Sequence, residues 1–202
     1  MKSEIAYLAG GCFWGMEDLL RKLPGVMKTE VGYMGGNTQN ATYNEVKTGT
    51  TNHAESVKVE FNPDQLSYEN LLLYFFKIHD PTTENRQGND IGTQYRSEIF
   101  YTSEEQKQTA EKVIARVDKS GAWGKPAATT VEEAAPFWSA EGYHQDYLLK
   151  IRVDTRATSF AKSISRAPAS VRGAKHLMFH KSYFLRPKIL SNKAISHNLV
   201  EH

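Results

Sequence analysis

The feature that most constrains this chain is its single cysteine, Cys12, which lies in the stretch AGGCFWGMEDLL. One cysteine cannot form an intramolecular disulfide, so the 202-residue chain must be stabilised by a hydrophobic core. A zinc site would have to use histidine and carboxylate ligands alone. The chain has neither a signal-peptide pattern at its start nor a run of 18 apolar residues. We therefore expect a cytoplasmic protein that does not enter the membrane.

Charge divides the chain near residue 150. Residues 1–150 carry 15 Lys and Arg against 21 Asp and Glu, whereas residues 151–202 carry 10 against 2. The first part has the size of a domain, and the second has only scattered apolar residues, too few to offset the entropy cost of ordering. We predict a folded domain over 1–150 and an atypical, basic, poorly ordered tail over 151–202.

The basic tail could attract nucleic acid or an anionic membrane by its charge alone. It contains no groove-reading motif, no clear basic amphipathic helix and no lipidation signal, so we expect neither partner. His176 and His180 have the i, i+4 spacing of metal ligands on a helix, but the sequence offers no third ligand beside them. We expect no metal site.

Hydrophobic periodicity predicts strands and helices that alternate along residues 1–150. Strands are expected in EIAYLAGG, VMKTEVGYMGG, HAESVKVEF and SEIFYT. Helices are expected after Cys12, from about Ser67, and after Ser103, where Gln106 would complete a capping box. RQGNDIGTQYR is rich in turn residues and is expected to be a loop, whereas APFWSAEGYHQDYLLK is expected to be helical. This pattern predicts an α+β domain.

Cys12 is expected at a helix N-terminus, next to Gly10 and Gly11. The helix dipole and unpaired backbone N–H groups favour a thiolate there, so we expect the pKa of the thiol to fall toward or below neutrality. The glycines allow a tight turn and leave the sulfur accessible. The alternative interpretation, a small buried apolar side chain, has equal weight on the local sequence alone.

Aromatic and polar groups could complete a site around this sulfur. Phe13 and Trp14 could form a cup for a small apolar group, although core packing is the commoner role of an aromatic residue. Polar candidates occur in three further stretches, where solvent-facing or capping roles are the alternative: Tyr43, His53, Glu55, Asp90 and Tyr95.

Taken together, several stretches identify a family. GCFWG, TYNEV, HAESVKVEF, QGNDIGTQYRS and YHQDYL occur in this order and closely resemble the A-type peptide methionine sulfoxide reductases. The resemblance covers most of residues 5–150, and GCFWG together with QGNDIGTQYRS is very specific.

The resemblance implies a two-layer α+β sandwich with a ferredoxin-like core, followed here by an irregular C-terminal extension. It implies the reduction of methionine S-sulfoxide, free or in proteins, as a repair of oxidative damage without metal or organic cofactor. Cys12 would attack the sulfoxide sulfur and become a sulfenic acid. Glu55 would be the protonated carboxyl that protonates the sulfoxide oxygen, with a pKa raised by its apolar surroundings.

The resemblance also assigns the residues around these two groups. Phe13 and Trp14 would hold the methyl group of the substrate. The hydroxyl groups of Tyr43 and Tyr95 would assist at the sulfoxide oxygen, where charge develops in the transition state. Asp90 would be a supporting polar residue of the site.

The chain departs from the family pattern after YHQDYL. An Asn-Pro-x-Gly-Tyr-like motif and a second, resolving cysteine are usual there, and both are missing. Either an external thiol (glutathione, a glutaredoxin or thioredoxin) attacks the Cys12 sulfenic acid directly, or the tail arose from an altered reading frame and has no selected function. Asn52 replaces a usual glycine, and we expect little effect because Asn tolerates left-handed backbone angles.

Two other functions remain possible on the sequence. A thiol peroxidase or redox sensor could use the same cysteine, but it would need neither a methyl cup nor an adjacent carboxylic acid. A domain with impaired catalysis could instead bind oxidised methionine while the basic tail anchors it. We expect a monomer in either case.

Overall fold

The computed structural model of the chain describes residues 2–152. The strands in this part are β1 (Glu4–Gly10), β2 (Val26–Met34), β3 (Ala54–Phe61), β4 (Arg86–Gln87), β5 (Asp90–Ile91), β6 (Ser97–Tyr101), β7 (Thr130–Glu133) and β8 (Trp138–Ser139). The helices are α1 (Phe13–Leu20), α2 (Tyr43–Val46), α3 (Tyr68–Ile78) and α4 (Glu104–Ser120), and a helical segment over 147–152 follows them. The predicted α+β class is confirmed.

A six-stranded sheet with the order β7-β6-β1-β3-β2-β8 organises these elements. Neighbouring strands are antiparallel except β6 and β7, which are parallel. Helices α1, α3 and α4 bury their apolar side chains in a core with the sheet, including Leu20, Leu72, Phe75 and Val113. A smaller cluster around Phe100 packs with partly buried residues that include Phe137. Strands β1 and β3 lie at the centre of the sheet. Cys12 follows the end of β1, and Glu55 lies on β3.

The predicted helix starts are confirmed at Ser67 and Ser103. The hydroxyl oxygen of each serine accepts the backbone N–H three residues later, at 3.2 Å. The predicted capping box at Ser103 is only half formed, because the amide oxygen of Gln106 accepts the backbone N–H of Thr102 at 3.0 Å instead. The helix ends at Gly121, whose φ of 63° is the left-handed conformation that favours glycine.

Two secondary-structure predictions are wrong. The stretch RQGNDIGTQYR contains the short hairpin β4–β5 and a 3₁₀ turn over Thr93–Tyr95. The stretch APFWSAEGYHQDYLLK is not one helix: it pairs as β8, turns at 142–146 and becomes helical only at 147. The Gln145 side chain explains the turn, because it accepts the backbone N–H of Val31 at 2.9 Å and donates to the carbonyl oxygen of Val31 at 2.8 Å.

Asn52 adopts a φ of 57°, so the residue that replaces the usual glycine keeps the left-handed turn. Among residues 2–152, no helix is both long enough and apolar enough to cross a bilayer. The predicted tail lies outside the described residues apart from its first two, and so do His176 and His180.

Candidate active site

Cys12 lies between the end of β1 and the start of α1, as predicted. It is the N-cap residue of α1, and its carbonyl oxygen accepts the backbone N–H of Met16 at 3.3 Å. Gly11 precedes it with a φ of 102°, and a Cβ atom there would lie 2.6 Å from Cγ of Gln87. Only glycine therefore fits this turn, and the β4–β5 hairpin that carries Gln87 lies directly against it.

Glu55, on β3, is hydrogen-bonded to the residue that follows the cysteine. Its Oε2 accepts the backbone N–H of Phe13 at 3.0 Å, and the residue is 3% exposed. Burial raises the pKa of Glu55 to about 7, and the negative charge of Asp90 adds to this, although the Phe13 N–H opposes it. The expectation of a carboxyl with a raised pKa is confirmed, so near neutral pH Glu55 can both hold and release a proton.

The expectation of a lowered thiol pKa at Cys12 is wrong. The backbone N–H groups of Trp14 and Gly15 do favour the thiolate, as a helix start should. Burial and the negative charge of Glu55 outweigh them and raise the pKa of Cys12 to about 11. Because protonation of Glu55 removes one of these two opposing causes, the charge state of the carboxyl influences the thiol.

Glu55 interacts electrostatically with three further predicted site residues, Tyr43, Tyr95 and Asp90. Burial and the charges of Glu55, Asp90 and Cys12 raise the pKa of Tyr95 to about 12. The pKa of Tyr43 is raised by burial and then by the charges of Glu55 and Cys12. Both phenols therefore keep their protons at physiological pH and are able to donate a hydrogen bond. Asp90 is exposed on the β4–β5 hairpin and acts on the site through its charge.

The two aromatic residues after the cysteine have different environments. Phe13 is 1% exposed, and its ring centroid lies 5.8 Å from that of Tyr33. Trp14 is partly exposed, and it stacks on Tyr147 with centroids 3.9 Å apart and planes 17° from parallel. The indole N–H of Trp14 donates to Nδ1 of His144 at 3.0 Å. Phe13 therefore belongs to the core, whereas Trp14 is held by residues near the C-terminal end of the described chain.

His53, a polar candidate from the sequence, has a structural role instead. Its Nδ1 accepts the backbone N–H of Gly36 at 3.1 Å, and its Nε2 lies 2.7 Å from the carbonyl oxygen of Thr38. Both ring nitrogens are thus used to hold the glycine loop after β2. We find no further role for this histidine at the sulfur.

Sequence reasoning missed the residues that hold the site from residue 141 onward. Glu141 accepts the backbone N–H of Tyr43 at 2.9 Å and the hydroxyl of Tyr33 at 3.0 Å. His144 and Tyr147 hold the indole of Trp14. The motif YHQDYL was the available signal, but its side chains were given no role at the site.

No group of three or more His, Cys, Asp or Glu side chains within residues 2–152 is arranged to hold a metal ion. A buried carboxyl that titrates near neutrality, two phenol donors and a single thiol at a helix start equip the site for cysteine-dependent oxidoreductase chemistry.

Comparison with known proteins places the chain within that class. The family model described as peptide methionine sulfoxide reductase matches residues 4–173, and the chain belongs to this family. The match extends past residue 150, where the resemblance of the motifs ends. It confirms the family, and the enzyme class, that the sequence motifs predicted.

Individual relatives agree with the family match. The chain is 55% identical over 149 residues to a peptide methionine sulfoxide reductase MsrA from Leifsonia xyli subsp. xyli, covering 74% of this chain and 86% of the relative. The crystal structure of Mxr1 from Saccharomyces cerevisiae in reduced form is 38% identical, with a TM-score of 0.69 over 74% of this chain and 86% of the yeast chain. Mxr1 in complex with Trx2 is also similar, at 28% identity and a TM-score of 0.51, over 72% and 85% of the two chains.

Proposed function

We propose that this chain reduces methionine S-sulfoxide, in proteins or free, to methionine, with Cys12 as the nucleophile and Glu55 as the acid. The observation that carries the proposal is the hydrogen bond of 3.0 Å from the Phe13 N–H to Glu55. It fixes a carboxyl whose pKa is about 7 beside the residue that bears the sulfur. A sulfoxide oxygen is a weak leaving group until it gains a proton, so this acid is what the reaction requires.

The reaction begins when the sulfoxide oxygen takes the proton of Glu55. The sulfur atom of Cys12 attacks the sulfoxide sulfur, and the thiol proton passes to the carboxylate that Glu55 has become. The oxygen ends on Cys12 as a sulfenic acid while methionine leaves as the thioether. Cys12 loses two electrons and the substrate sulfur gains two, so this half-reaction needs no other reductant. A partly positive substrate sulfur offsets the opposing charge of the ionised Glu55 and favours the thiolate.

Tyr43 and Tyr95 donate hydrogen bonds to the sulfoxide oxygen in this proposal. Their raised pKa values support it, because both hydroxyls stay protonated while charge builds on the oxygen. Asp90 acts as the supporting residue: its charge raises the pKa of Glu55 and helps to keep that carboxyl protonated.

Phe13 and Trp14 hold the substrate methyl group. The partly exposed Trp14 is the wall that a substrate can reach, whereas the buried Phe13 closes the bottom of the cup. A methyl group held there fixes the direction in which the sulfoxide oxygen points, which is how one epimer is preferred over the other.

An external thiol regenerates Cys12, since this is the only cysteine of the chain. The yeast relative in complex with Trx2 supports a thioredoxin as this donor, and a glutaredoxin or a small thiol would follow the same chemistry. A cytoplasmic location fits this need for thiol reductants. A monomer suffices, because the proposed residues all come from one chain.

We further infer that the catalytic domain is residues 1–150 and that its centre is a two-layer, ferredoxin-like unit. The element sequence β1-α1-β2-β3-α3-β6 follows a β-α-β-β-α-β pattern, with the strand order β6-β1-β3-β2. Helices α1 and α3 contribute to the same core. These features support the finer fold description implied by the family resemblance.

A single-turnover assay tests the proposal. The enzyme is mixed with the S or the R epimer of methionine sulfoxide without reductant, and the methionine formed per enzyme is counted. We expect about one equivalent from the S epimer, little from the R epimer and none from Cys12→Ser, because each enzyme holds one thiol. Sulfoxide binding without methionine formation would instead support a binding module.

Adding reductant to the same assay tests how Cys12 is regenerated. Dithiothreitol should restore multiple turnovers. Failure of a thioredoxin system to do so would indicate that a missing second cysteine limits recycling, and efficient turnover would show direct attack by thioredoxin on the sulfenic acid.

A further inference from the structure

His144 is a buried histidine with one nitrogen engaged and one without a partner. It is 1% exposed, and its Nδ1 accepts the indole N–H of Trp14 at 3.0 Å. Its Nε2 has no hydrogen-bond partner among the described residues. The nearest acidic group is Glu141, whose Oε2 lies 3.9 Å from Nε2, while the oxygens of Glu141 accept from Tyr33 and Tyr43.

The indole nitrogen fixes the tautomer of this histidine. An indole N–H can only donate, so Nδ1 of His144 must be unprotonated and the ring proton must lie on Nε2. A cationic ring would carry protons on both nitrogens, so its Nδ1–H would point at the indole N–H of Trp14. Protonation of His144 therefore breaks its bond to Trp14.

The surroundings of His144 keep it neutral and in place. The rings of Phe13, Tyr43 and Tyr143 lie around it, with centroids 5.3, 4.6 and 4.2 Å away. Burial lowers the pKa of His144, although the charge of Glu141 opposes this. The ionisable residues that lie against the ring are Glu141, Tyr43 and Tyr143.

We propose that His144 is the positioning residue for Trp14: its neutral Nδ1 holds the indole plane against Tyr147 in the orientation that accepts the substrate methyl group. This proposal rests on the methyl-binding role proposed above for Trp14. His144 touches no reacting atom. It acts on substrate affinity, which falls when the ring is protonated or its acceptor nitrogen is removed.

Two variants separate the acceptor from the bulk of the ring. His144→Asn places an amide oxygen near the position of Nδ1 and does not titrate, whereas His144→Phe fills the space without an acceptor. The indole N–H signals in a ¹H–¹⁵N spectrum report the hydrogen bond directly, and Trp14→Phe identifies which signal belongs to Trp14. We expect that signal to shift in His144→Phe and to stay near its wild-type position in His144→Asn. An unshifted signal in His144→Phe would overturn the proposal.

Substrate affinity is then read from the half-saturating concentration of S-sulfoxide in single turnovers. We expect about a fivefold to tenfold increase in His144→Phe with little change in the saturating rate, and less than about a threefold change in His144→Asn. Equal losses in both variants, or a loss confined to the saturating rate, would contradict the positioning role. If the indole signal shifts in His144→Phe but substrate affinity does not change, the claim that this hydrogen bond controls affinity is wrong. If Trp14→Phe also leaves affinity unchanged, the methyl-binding role of Trp14 fails instead.

The pH dependence provides the remaining test. Burial lowers the pKa of His144, so in the wild type the half-saturating concentration should rise only at pH values below the ordinary pKa of histidine, where the imidazole gains a proton at Nδ1. His144→Asn should lack this rise while keeping any change that Cys12 and Glu55 cause in both proteins. A rise of equal size in the Asn variant would show that another group is responsible.

Discussion

Two buried glutamates, Glu55 and Glu17, show how the same side chain takes different roles in two regions of this domain. Both are at most 3% exposed, both accept a backbone N–H, and burial raises the pKa of both. Glu17 lies on α1 with the guanidinium of Arg21 at 3.2 Å, and it also accepts the Thr29 hydroxyl at 3.1 Å. Glu55 is influenced instead by a negative charge, that of Asp90.

The two carboxylates differ in the contacts that protonation would weaken. Glu17 connects α1 to the segment after β8, because its Oε2 accepts the backbone N–H of Asp146 and Arg21 also pairs with the carboxylate of Asp146. Protonating it would weaken several contacts at once. Glu55 gains a proton without losing a cation, so its charge state is available for chemistry. Burial alone therefore does not identify a catalytic acid; the charges around it do.

The largest expected effect comes from Glu55→Gln. The amide oxygen can still accept the Phe13 N–H, so the fold should remain, but the amide cannot protonate the sulfoxide. We expect the rate of methionine formation in single turnovers to fall by about 10² to 10⁴. The matched control, Glu17→Gln, should keep the rate within about threefold. Equal losses in the two variants would remove the functional distinction between them.

The next effect is the pH dependence of the same rate in the wild type. The reacting form needs a protonated Glu55, whose pKa is about 7. As the pH rises above 7 the carboxyl ionises, and its charge also disfavours the thiolate of Cys12. We expect the rate at low substrate to fall about tenfold per pH unit well above pH 7. A rate that rises steadily to pH 9 would show that thiol ionisation, and not the acid, controls the reaction.

The two variants should differ in the opposite direction in stability, with Glu17→Gln losing more free energy of unfolding than Glu55→Gln. Glu17→Gln weakens the pairing with Arg21 and the bond to the Asp146 N–H, so we expect the free energy of unfolding to fall by about 2 kcal/mol in urea titrations at pH 7.5. Glu55→Gln removes a buried charge at that pH and should leave the free energy of unfolding equal or higher. A larger loss in Glu55→Gln would mean that Glu55 has the structural role as well.

The smallest effect is expected for the ion pair between Arg152 and Asp18, the neighbour of Glu17 on α1. Arg152 pairs with Asp18 at 3.0 Å, but its side chain is 53% exposed. Asp18 also pairs with Lys22 at 2.7 Å. Arg152→Ala should therefore lower the free energy of unfolding by only about 0.5 kcal/mol, and added salt should reduce even this difference. A loss above about 2 kcal/mol would show that this contact docks the end of the domain.

The elements that follow local rules could be predicted from the sequence. The starts of α3 and α4 depend on serine caps, and strands such as β3 alternate apolar residues. The parallel strand β7 and the turn at 142–146 were missed because distant partners fix them: β6 for the first and the backbone of Val31 for the second. A local pattern does not contain such partners.

The candidate site, too, could be predicted from the sequence only in part. Motif resemblance was sufficient to nominate Cys12, Glu55 and the two tyrosines, and the structure brings them into one electrostatic neighbourhood. The pKa of Cys12 was predicted in the wrong direction, because the helix start is visible in the sequence whereas the nearby carboxylate and the burial are not. His144 was invisible as a partner of Trp14, since 130 residues separate them.

That separation also has a consequence in time. The indole of Trp14 finds its partners only when the chain has been made as far as His144 and Tyr147. At a synthesis rate of about 5–20 residues per second, the start of α1 waits on the order of ten seconds for them. During this interval the reactive sulfur of the nascent chain lacks the finished pocket around it. Until then Cys12 is a thiol that an oxidant can meet without the selection that the finished pocket imposes.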